Sequence, residues 1–293
     1  MSGYASVFRE ALFKDSVCLV TGGGSGIGRC TAHELSALGA RVVLAGRKLE
    51  KLTRVQSEIT SAGGRADVHA LDIRDEEQVV RTISSIVASH GRIDALVNNA
   101  GGQFPAPLAT ISKRGFEAVV GTNLTGGFLV AREVFKQSMS TRGGAIVNIV
   151  ADMWNGMPGM GHSGAARAGM VNLTKTAAYE WAFCKVRVNA VAPGYVASSG
   201  LDNYQGAVRE MMGQLKDHVP LRRLATEAEV SAAICFLLSP AAAFITGITL
   251  AVDGGAPLGT ALFPSLDHEP SPGFAGFPLA VLPRVLGGQG SND

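Results

Sequence analysis

The chain contains 293 residues, 46% of them hydrophobic and 17% charged, and it carries a formal net charge of +2. This composition is typical of a globular protein with a sizeable core. Its lysines and arginines are scattered and form no basic stripe, which excludes a nucleic-acid-binding surface. The four cysteines have neither metal-ligand nor redox spacing, so we expect free core thiols in a reducing compartment and no metal site.

Strand-like and helix-like runs alternate along most of the chain. The first residues lack the apolar core of a signal peptide, so we expect a cytoplasmic protein. Short β-branched strands separated by helices indicate a parallel sheet covered on both faces. We therefore predict a single doubly wound, Rossmann-type α/β domain over residues 1–256. The predicted strands cover 16–21, 41–46, 67–72, 93–99, 145–150, 186–193 and 247–255.

The C-terminal part of the sequence departs from this alternation in two places. Residues 231–252 carry no charge and are numerous enough to cross a membrane. Because Pro240 and Gly247 interrupt them, we predict a short helix, a turn and a strand instead of a membrane span. From 257 to 293, proline and glycine become frequent and periodicity ends. We predict that this C-terminal extension packs on the domain or on a neighbouring subunit and frays near its end.

A glycine-rich loop follows the first strand and opens a helix, with the sequence TGGGSGIGR (21–29). Such glycines let the backbone turn tightly and approach a pyrophosphate, which the amides of the helix N-terminus then hold. The pattern alone is a weak signal, but its position between strand and helix makes it more specific. The predicted cofactor-binding residues here are Gly22, Ser25, Gly26, Ile27 and Gly28.

The end of the second strand indicates which dinucleotide binds. An NAD site needs a carboxylate there to bond the ribose 2′-hydroxyl, whereas this chain has Arg47 and Lys48. A guanidinium chelates a 2′-phosphate that a carboxylate would repel. We therefore predict NADP(H). The alternative is that both residues are solvated charges at a helix start.

Five motifs stand in the order and spacing of a known family: TGGGSGIG, LDIRD (71–75), NNAGG (98–102), TNLTG (122–126) and APG (192–194). Together they resemble the short-chain dehydrogenase/reductase family over about residues 14–256. The resemblance implies a homotetramer and further cofactor contacts at the adenine, in the cleft and at the nicotinamide. The residues concerned are Asp72 and Ile73 for the adenine, Asn98, Ala100 and Gly101 for the cleft, and Pro193, Gly194 and Val196 for the nicotinamide.

The catalytic positions depart from the family pattern. Most members have a tyrosine, a lysine four residues later, a serine on the fifth strand and an asparagine on the fourth helix. Here Asn123 matches the asparagine, but Ala151 replaces the serine, Ser163 the tyrosine and Arg167 the lysine.

Two neighbouring residues are further catalytic candidates. His162 is suited to supply a proton near neutral pH, and Asp152 follows the strand-end alanine. The catalytic candidates are thus Asn123, Asp152, His162, Ser163 and Arg167. For each, a structural role in capping, kinking or salt-bridging a helix stays open.

The chemistry of these residues favours one reaction. Reduction of a ketone needs an acid that protonates the substrate oxygen, but a serine hydroxyl is a far poorer acid than a phenol and an arginine stays protonated. Hydride addition to the β-carbon of an unsaturated thioester instead places negative charge on an oxygen that hydrogen-bond donors stabilise without transferring a proton. The segments 101–104, 122–126, 162–169 and 235–247 also resemble peroxisomal trans-2-enoyl-CoA reductases and 2,4-dienoyl-CoA reductases.

We therefore predict NADPH-dependent reduction of the carbon–carbon double bond of 2-enoyl-CoA or dienoyl-CoA thioesters. Two alternatives remain open: an NAD(P)-dependent dehydrogenase for branched terpenoid or fatty alcohols, and a catalytically inactive NADP-binding scaffold. A methionine-rich wall would adapt to flexible acyl chains. The predicted pocket contains Phe104, Met153, Trp154, Met157, Met160 and residues 195–212.

Overall fold

A parallel sheet forms the centre of the molecule. The computed structural model describes residues 3–258 and 267–288, and its seven strands follow the order β3-β2-β1-β4-β5-β6-β7. This arrangement confirms the predicted doubly wound α/β fold. The strands are β1 (Val17–Thr21), β2 (Arg41–Gly46), β3 (Arg65–Ala70), β4 (Ala95–Asn98), β5 (Gly144–Ile149), β6 (Val186–Pro193) and β7 (Thr249–Val252).

Strand β3 ends two residues before the predicted limit of 72. The amide of Leu71 still bonds to Gly46 of β2, but the amide of Asp72 bonds to the side chain of Gln78. The chain therefore leaves the sheet at this point and enters the turn before the next helix.

Helices cover both faces of the sheet. Because side chains alternate along a strand, Val20 packs on one face and Leu19 on the other. The helices are α1 (Gly26–Ala37), α2 (Leu49–Ser61), α3 (Glu76–His90), α4 (Lys113–Val120), α5 (Gly127–Val134), α6 (Ser140–Arg142), α7 (Gly161–Glu180), α8 (Gly206–Met212) and α9 (Glu227–Leu238). Helices α1, α2 and α9 pack on the first face, and α3, α5 and α7 pack on the second.

The uncharged stretch 231–252 folds as predicted into the end of α9, a short 3-10 turn (Pro240–Ala242) and β7. Helix α9 begins with a capping box, in which Thr226 and Glu229 each accept the other's backbone amide. No helix among the described residues has the length and apolarity that a membrane span requires.

The strand order determines where the functional crevice lies. Strand β1 pairs with β2 on one side and with β4 on the other, so the direction of winding reverses between β1 and β4. In open α/β sheets, ligands bind beyond the carboxyl ends of the strands at such a switch point.

The described part of the C-terminal extension, 267–288, crosses the face formed by α1 and α9. The carbonyl of Phe274 accepts from Thr226 at the start of α9, and the buried ring of Phe277 stacks on Tyr4. Further along, the backbone amides of Arg284 and Val285 both donate to Asp202. Residues 259–266 and 289–293 of the predicted extension, including its predicted frayed end, lie outside the described residues.

Candidate active site

The glycine-rich loop leaves room for a ligand against its backbone. Gly22 has φ +66°, a conformation that favours glycine. A Cβ on Gly28 would collide with the side-chain amide of Asn99 and the carbonyl of Gly22. Both glycines are therefore required by the local packing. Ser25, Gly26 and Ile27 lie between them, and α1 begins at Gly26.

Strand β4 braces this loop through Asn99. Its side-chain nitrogen donates to the carbonyl of Thr21 at 3.0 Å and to that of Gly22 at 3.3 Å. Asn98, predicted to line the cleft, is instead buried and donates to the carbonyl of Gly127 and to Asn148. This difference arises because successive side chains of a strand point to opposite faces, so the next residue, Asn99, faces the cleft.

A cavity of about 430 Å³ extends from the glycine loop to the ends of β2 and β3. Lys51 joins the predicted Arg47 and Lys48 in its wall. Cationic side chains beside glycine backbone suit a dinucleotide, whose phosphates carry negative charge. The predicted residues that line the cavity are Gly22, Ser25, Arg47, Lys48, Asp72, Ile73, Ala100 and Gly101.

Asp72, predicted to contact the adenine, is held in the wall of this cavity by a neighbouring cation. The Nε of Arg74 donates to its Oδ1 at 2.9 Å. That hydrogen bond lowers the pKa of Asp72 to about 2, so the carboxylate is ionised at neutral pH and its charge is balanced by Arg74.

The three residues predicted to border the nicotinamide lie at and after the carboxyl end of β6. The amide of Gly194 donates to the carbonyl of Val252 at 3.0 Å. A Cβ on Gly194 would contact the Asp253 backbone at 2.8 Å. Val196 pairs with Ala225 in an isolated bridge. Pro193, Gly194 and Val196 thus lie on the β6 side of the sheet, apart from the cavity at β1.

Asn123 fastens the loop that follows β4. It is buried in a π-helical segment (Gly121–Gly126) between α4 and α5. Its Oδ1 accepts from the amide of Gly102 at 2.9 Å, and its Nδ2 donates to the carbonyl of Gly102 at 3.0 Å. A π-helical bulge frequently marks a functional site, and here it aims the asparagine at the loop.

Arg167 points its guanidinium toward the same loop. Its Nη1 donates to the carbonyl of Ile149 at 2.6 Å, while its Nε is shielded from solvent without a partner among the described residues. A Cβ on Gly101 would lie 2.6 Å from Nη2 of Arg167 and 3.0 Å from Oδ1 of Asn123. Burial lowers the pKa of Arg167 to about 10, which leaves the side chain a cation at neutral pH.

The hydroxyl of Ser163 is covered by a residue that the sequence did not single out. Ser163 is fully buried, and its Oγ donates to Oε1 of Gln103 at 2.6 Å. The Nε2 of Gln103 donates in turn to the phenol oxygen of Tyr204 at 3.3 Å. Ser163, predicted to face the nicotinamide directly, thus meets the cleft through Gln103.

His162 does not have the position of a proton donor. Its ring is fully buried and lies edge-on to Phe104, with 4.5 Å between the ring centroids. Its Nδ1 accepts from the amide of Ser163 at 2.8 Å, which leaves the hydrogen on Nε2, an atom sealed from solvent. The predicted catalytic role is therefore corrected to a packing role at the start of α7.

Asp152 lies at the β5 edge of the site. Its amide donates to the carbonyl of Pro193 at 3.2 Å. Burial raises the pKa of its carboxyl, and the nearby Asp253 raises it further. The structure therefore brings Asn123 and Arg167 together around Gly101, links Ser163 to them through the adjacent loop, and places Asp152 beside the β6 residues.

Residues of the predicted apolar pocket are partly exposed to solvent. Phe104 and Trp154 have 41% and 46% of their surfaces exposed. Met157 packs on Gly164 in the first turn of α7, where a Cβ would contact its side chain at 3.2 Å. Phe104 and Met157 thus contact the first turn of α7.

Comparisons with known proteins agree with this geometry. A family model described as enoyl-(acyl carrier protein) reductase matches residues 22–257. The chain belongs to the short-chain dehydrogenase/reductase family. It is accordingly an oxidoreductase that uses a nicotinamide cofactor.

The relatives within this family differ in substrate. The peroxisomal 2,4-dienoyl-CoA reductase of Danio rerio is 35% identical over 87% of this chain and 86% of its own. A citronellol catabolism dehydrogenase of Pseudomonas aeruginosa PAO1 is 60% identical, with a TM-score of 0.79 over 86% of this chain and 99% of its own. A NAD⁺-bound xylitol dehydrogenase is 31% identical, with a TM-score of 0.77 over 83% of this chain and 99% of its own.

Sequence reasoning missed four residues of this short-chain dehydrogenase/reductase site. Asn99 lies within the NNAGG motif and Gln103 directly follows it, and the period of two along a strand would have selected Asn99. Lys51 follows Lys48 by one turn of α2, a spacing that places both on one helix face. Tyr204 lies in a segment predicted only as pocket wall, and no local pattern distinguishes it.

Proposed function

We propose that this protein reduces the carbon–carbon double bond of 2-enoyl-CoA or dienoyl-CoA thioesters with NADPH. The observation that carries the proposal is the guanidinium of Arg167. Its Nη1 is bound to the carbonyl of Ile149, and its Nη2 faces Gly101 without a hydrogen bond among the described residues. A largely desolvated cation with a free donor is stabilised when a ligand supplies the missing acceptor.

Where most members of the family have an acid, this site has a hydrogen-bond donor that keeps its proton. Ser163 already gives its hydrogen to Gln103, and Arg167 stays protonated at neutral pH. A bound NADPH supplies the hydride. Arg167 is suited to hold the thioester oxygen while negative charge accumulates there, because a fixed donor in a site that excludes water stabilises an oxyanion without giving up its proton. The loop at Gly101, pinned by Asn123, holds the guanidinium in that orientation.

The cations at the end of β2 support NADPH as the cofactor. Arg47, Lys48 and Lys51 line the cavity on the adenine side, where a 2′-phosphate would lie. Asp72 is the acid nearest to them in the lining, and its charge is taken by Arg74. Three cations beside a balanced carboxylate favour a phosphorylated ribose.

A substrate panel tests the proposal. The protein is incubated with NADPH and 2-enoyl-CoA thioesters from crotonyl- to dodecenoyl-CoA, and with a 2,4-dienoyl-CoA, while absorbance at the NADPH band is recorded. We expect oxidation of NADPH that depends on the thioester. No oxidation at any chain length would refute the proposal.

A second candidate is the oxidation of a branched terpenoid alcohol. It is favoured by the 60% identity to the citronellol catabolism dehydrogenase. Adding NADP⁺ with citronellol or a long-chain alcohol to the same panel distinguishes the two, since only the second candidate predicts alcohol-dependent formation of NADPH. Binding of NADPH without turnover of any substrate would instead support the inactive scaffold.

We also propose a homotetramer as the working assembly, on the basis of the family. Large aromatic surfaces at the end of α7 support self-association, since Tyr179 is 87% exposed and Phe183 82% exposed. Light scattering after size-exclusion chromatography is expected to give four times the mass of the chain. A monomer at micromolar concentration would refute this assembly.

A further inference from the structure

We propose that Tyr204 is the residue that transfers the proton in this site, and that Gln103 positions it. The inference extends the proposed function. It rests on that function only for the identity of the substrate that receives the proton. It starts from the chain of hydrogen bonds that connects the beginning of α7 to the segment 199–212. Ser163 donates to Gln103 over 2.6 Å, and Gln103 donates to Tyr204 over 3.3 Å.

The direction of these hydrogen bonds decides which group can act as an acid. Ser163 has one hydrogen and gives it to Oε1 of Gln103, so it has none left for a substrate. The oxygen of Tyr204 accepts from Nε2 of Gln103, which leaves the phenol hydrogen unused. A phenol is also a much stronger acid than an aliphatic hydroxyl. The amide therefore holds the phenol by its oxygen and leaves its proton available.

The same amide stabilises the product of proton transfer. When the phenol gives up its proton, negative charge develops on the oxygen that already accepts the Gln103 hydrogen bond. Hydrogen bonding to the charged form favours that form, so Gln103 lowers the barrier to the transfer. Ser163 orients the amide by occupying its carbonyl oxygen, which explains why a hydroxyl is present at a position that lacks the phenol.

The proton transfer from Tyr204 and the proposed hydride transfer together balance in atoms and electrons. The β-carbon of the thioester gains a hydride and NADPH is oxidised to NADP⁺, so that the electron pair of the double bond moves toward the thioester oxygen. The O–H bond of Tyr204 then breaks as a C–H bond forms at the α-carbon. Water reprotonates the phenolate. One double bond is thus reduced with one hydride and one proton.

The other titratable groups near the start of α7 are less suited to this step. His162 is sealed from solvent, with Nδ1 engaged by backbone, and Arg167 remains a cation. Asp152 lies beside Pro193 at the end of β6, and no hydrogen bond among the described residues joins its carboxylate to the Ser163–Gln103 chain.

The segment that carries Tyr204 is fixed to the rest of the molecule. Tyr204 follows a 3-10 turn (Ser199–Asn203), and Asp202 in that turn accepts the amides of Arg284 and Val285 at 3.2 and 3.1 Å. Tyr204 is half-buried, and its hydrogen bond with Gln103 is exposed to solvent. Its position over the site depends on this anchoring as well as on Gln103.

The experiment compares Tyr204→Phe and Gln103→Ala with the wild-type protein. The control is Phe244→Leu, because Phe244 is a fully exposed aromatic side chain in the segment between α9 and β7. Each protein is assayed over a range of pH with whichever substrate of the thioester and alcohol panel the wild type turns over. Binding of NADPH, followed by its fluorescence, reports whether the fold and the cofactor site are intact.

We expect Tyr204→Phe to lower kcat by about 100-fold or more, as loss of a general acid does, with NADPH binding and the activity of the Phe244→Leu control unchanged. The alkaline fall in kcat, where an acid would ionise, should disappear with the phenol. Gln103→Ala should lower kcat less than Tyr204→Phe and leave KM for the substrate unchanged, because it removes the amide that positions the phenol. A purely structural role for Gln103 would weaken NADPH binding or raise KM together with the loss of kcat.

The outcomes separate this inference from the proposed function. If thioesters are inert, an alcohol is oxidised and Tyr204→Phe abolishes that oxidation, the proposed function fails while the role of Tyr204 stands. If Tyr204→Phe keeps its rate and pH profile, or if Asp152→Asn rather than Tyr204→Phe removes the alkaline fall, the inference is wrong. A wild-type protein that turns over neither class of substrate would overturn both.

Discussion

At the cofactor end of the cleft (residues 21–28, 47 and 48), backbone groups and residues adjacent in sequence form the site, whereas at the reaction end (Asn123, Ser163 and Arg167) side chains from separate segments meet. The glycine loop takes its shape from its own residues, from Asn99 and from close contacts with the neighbouring strand β2 and helix α2. Arg167 and Asn123 converge only because Gly101 lies between them. A ligand that is common to a family can be held by backbone, while a changed reaction requires changed side chains.

The largest effect is expected from Arg167→Ala. Loss of a preorganised donor to an oxyanion costs about 10²–10³ in turnover, so kcat/KM for the active substrate should fall by that factor. The exposed Arg142 gives the control variant Arg142→Ala, which should be neutral. If Arg167→Ala loses affinity for NADPH but keeps kcat, Arg167 belongs to the cofactor end and the division between the two ends is wrong.

Glu227 makes the stability at the cofactor end depend on pH. It is a buried acid close to Gly26 of the glycine loop. Burial raises the pKa of Glu227 to about 7. The folded protein therefore binds a proton that the unfolded chain has released, and the free energy of unfolding should fall as pH rises from 5 to 8.

The shift corresponds to about 3 kcal/mol at most. Glu227→Gln should remove this slope in urea unfolding measured at pH 5 and pH 8. The control Glu117→Gln changes an exposed carboxyl and should keep it. Equal slopes for wild type and Glu227→Gln would contradict the prediction.

Gly28→Ala tests the backbone construction of the cofactor end. The new Cβ would displace Asn99 or the carbonyl of Gly22, and overpacking of this kind costs about 2 kcal/mol. NADPH affinity, measured by fluorescence titration, should fall by roughly 30-fold. Gly213→Ala, where a Cβ meets nothing within 4 Å, is the matched control. An unchanged Kd would show that the loop is not shaped by close packing.

The smallest effect is expected from Arg47→Ala. A hydrogen bond to a charged group contributes about 1.5 kcal/mol, so KM for NADPH should rise by roughly tenfold while KM for NADH stays the same. Lys113→Ala, at a side chain that is 89% exposed, should change neither. An equal rise in KM for NADPH and NADH would mean that Arg47 does not bind the 2′-phosphate.

The same comparison explains what the sequence could predict. Short, nearly continuous β-branched and apolar runs predict all of the strands, since a parallel strand is buried on both faces, and the glycine loop is recognisable because its residues are contiguous. The Asn98 side chain was assigned to the wrong face within one strand. The partners of Gln103 lie 60 and 101 residues away in the chain, and the burial of His162 depends on Phe104 packing against it. No local pattern contains such long-range contacts.

The C-terminal extension has a consequence for protein engineering. The carbonyl of Leu279 in its backbone accepts a hydrogen bond from Arg29, one residue after Gly28. A few residues later, its backbone amides bond to Asp202, two residues before Tyr204. A chimera that exchanges residues 199–212 with those of a relative would therefore leave the graft without its anchor unless the last stretch of the chain travels with it. Loop libraries for new substrates should vary both segments as one unit.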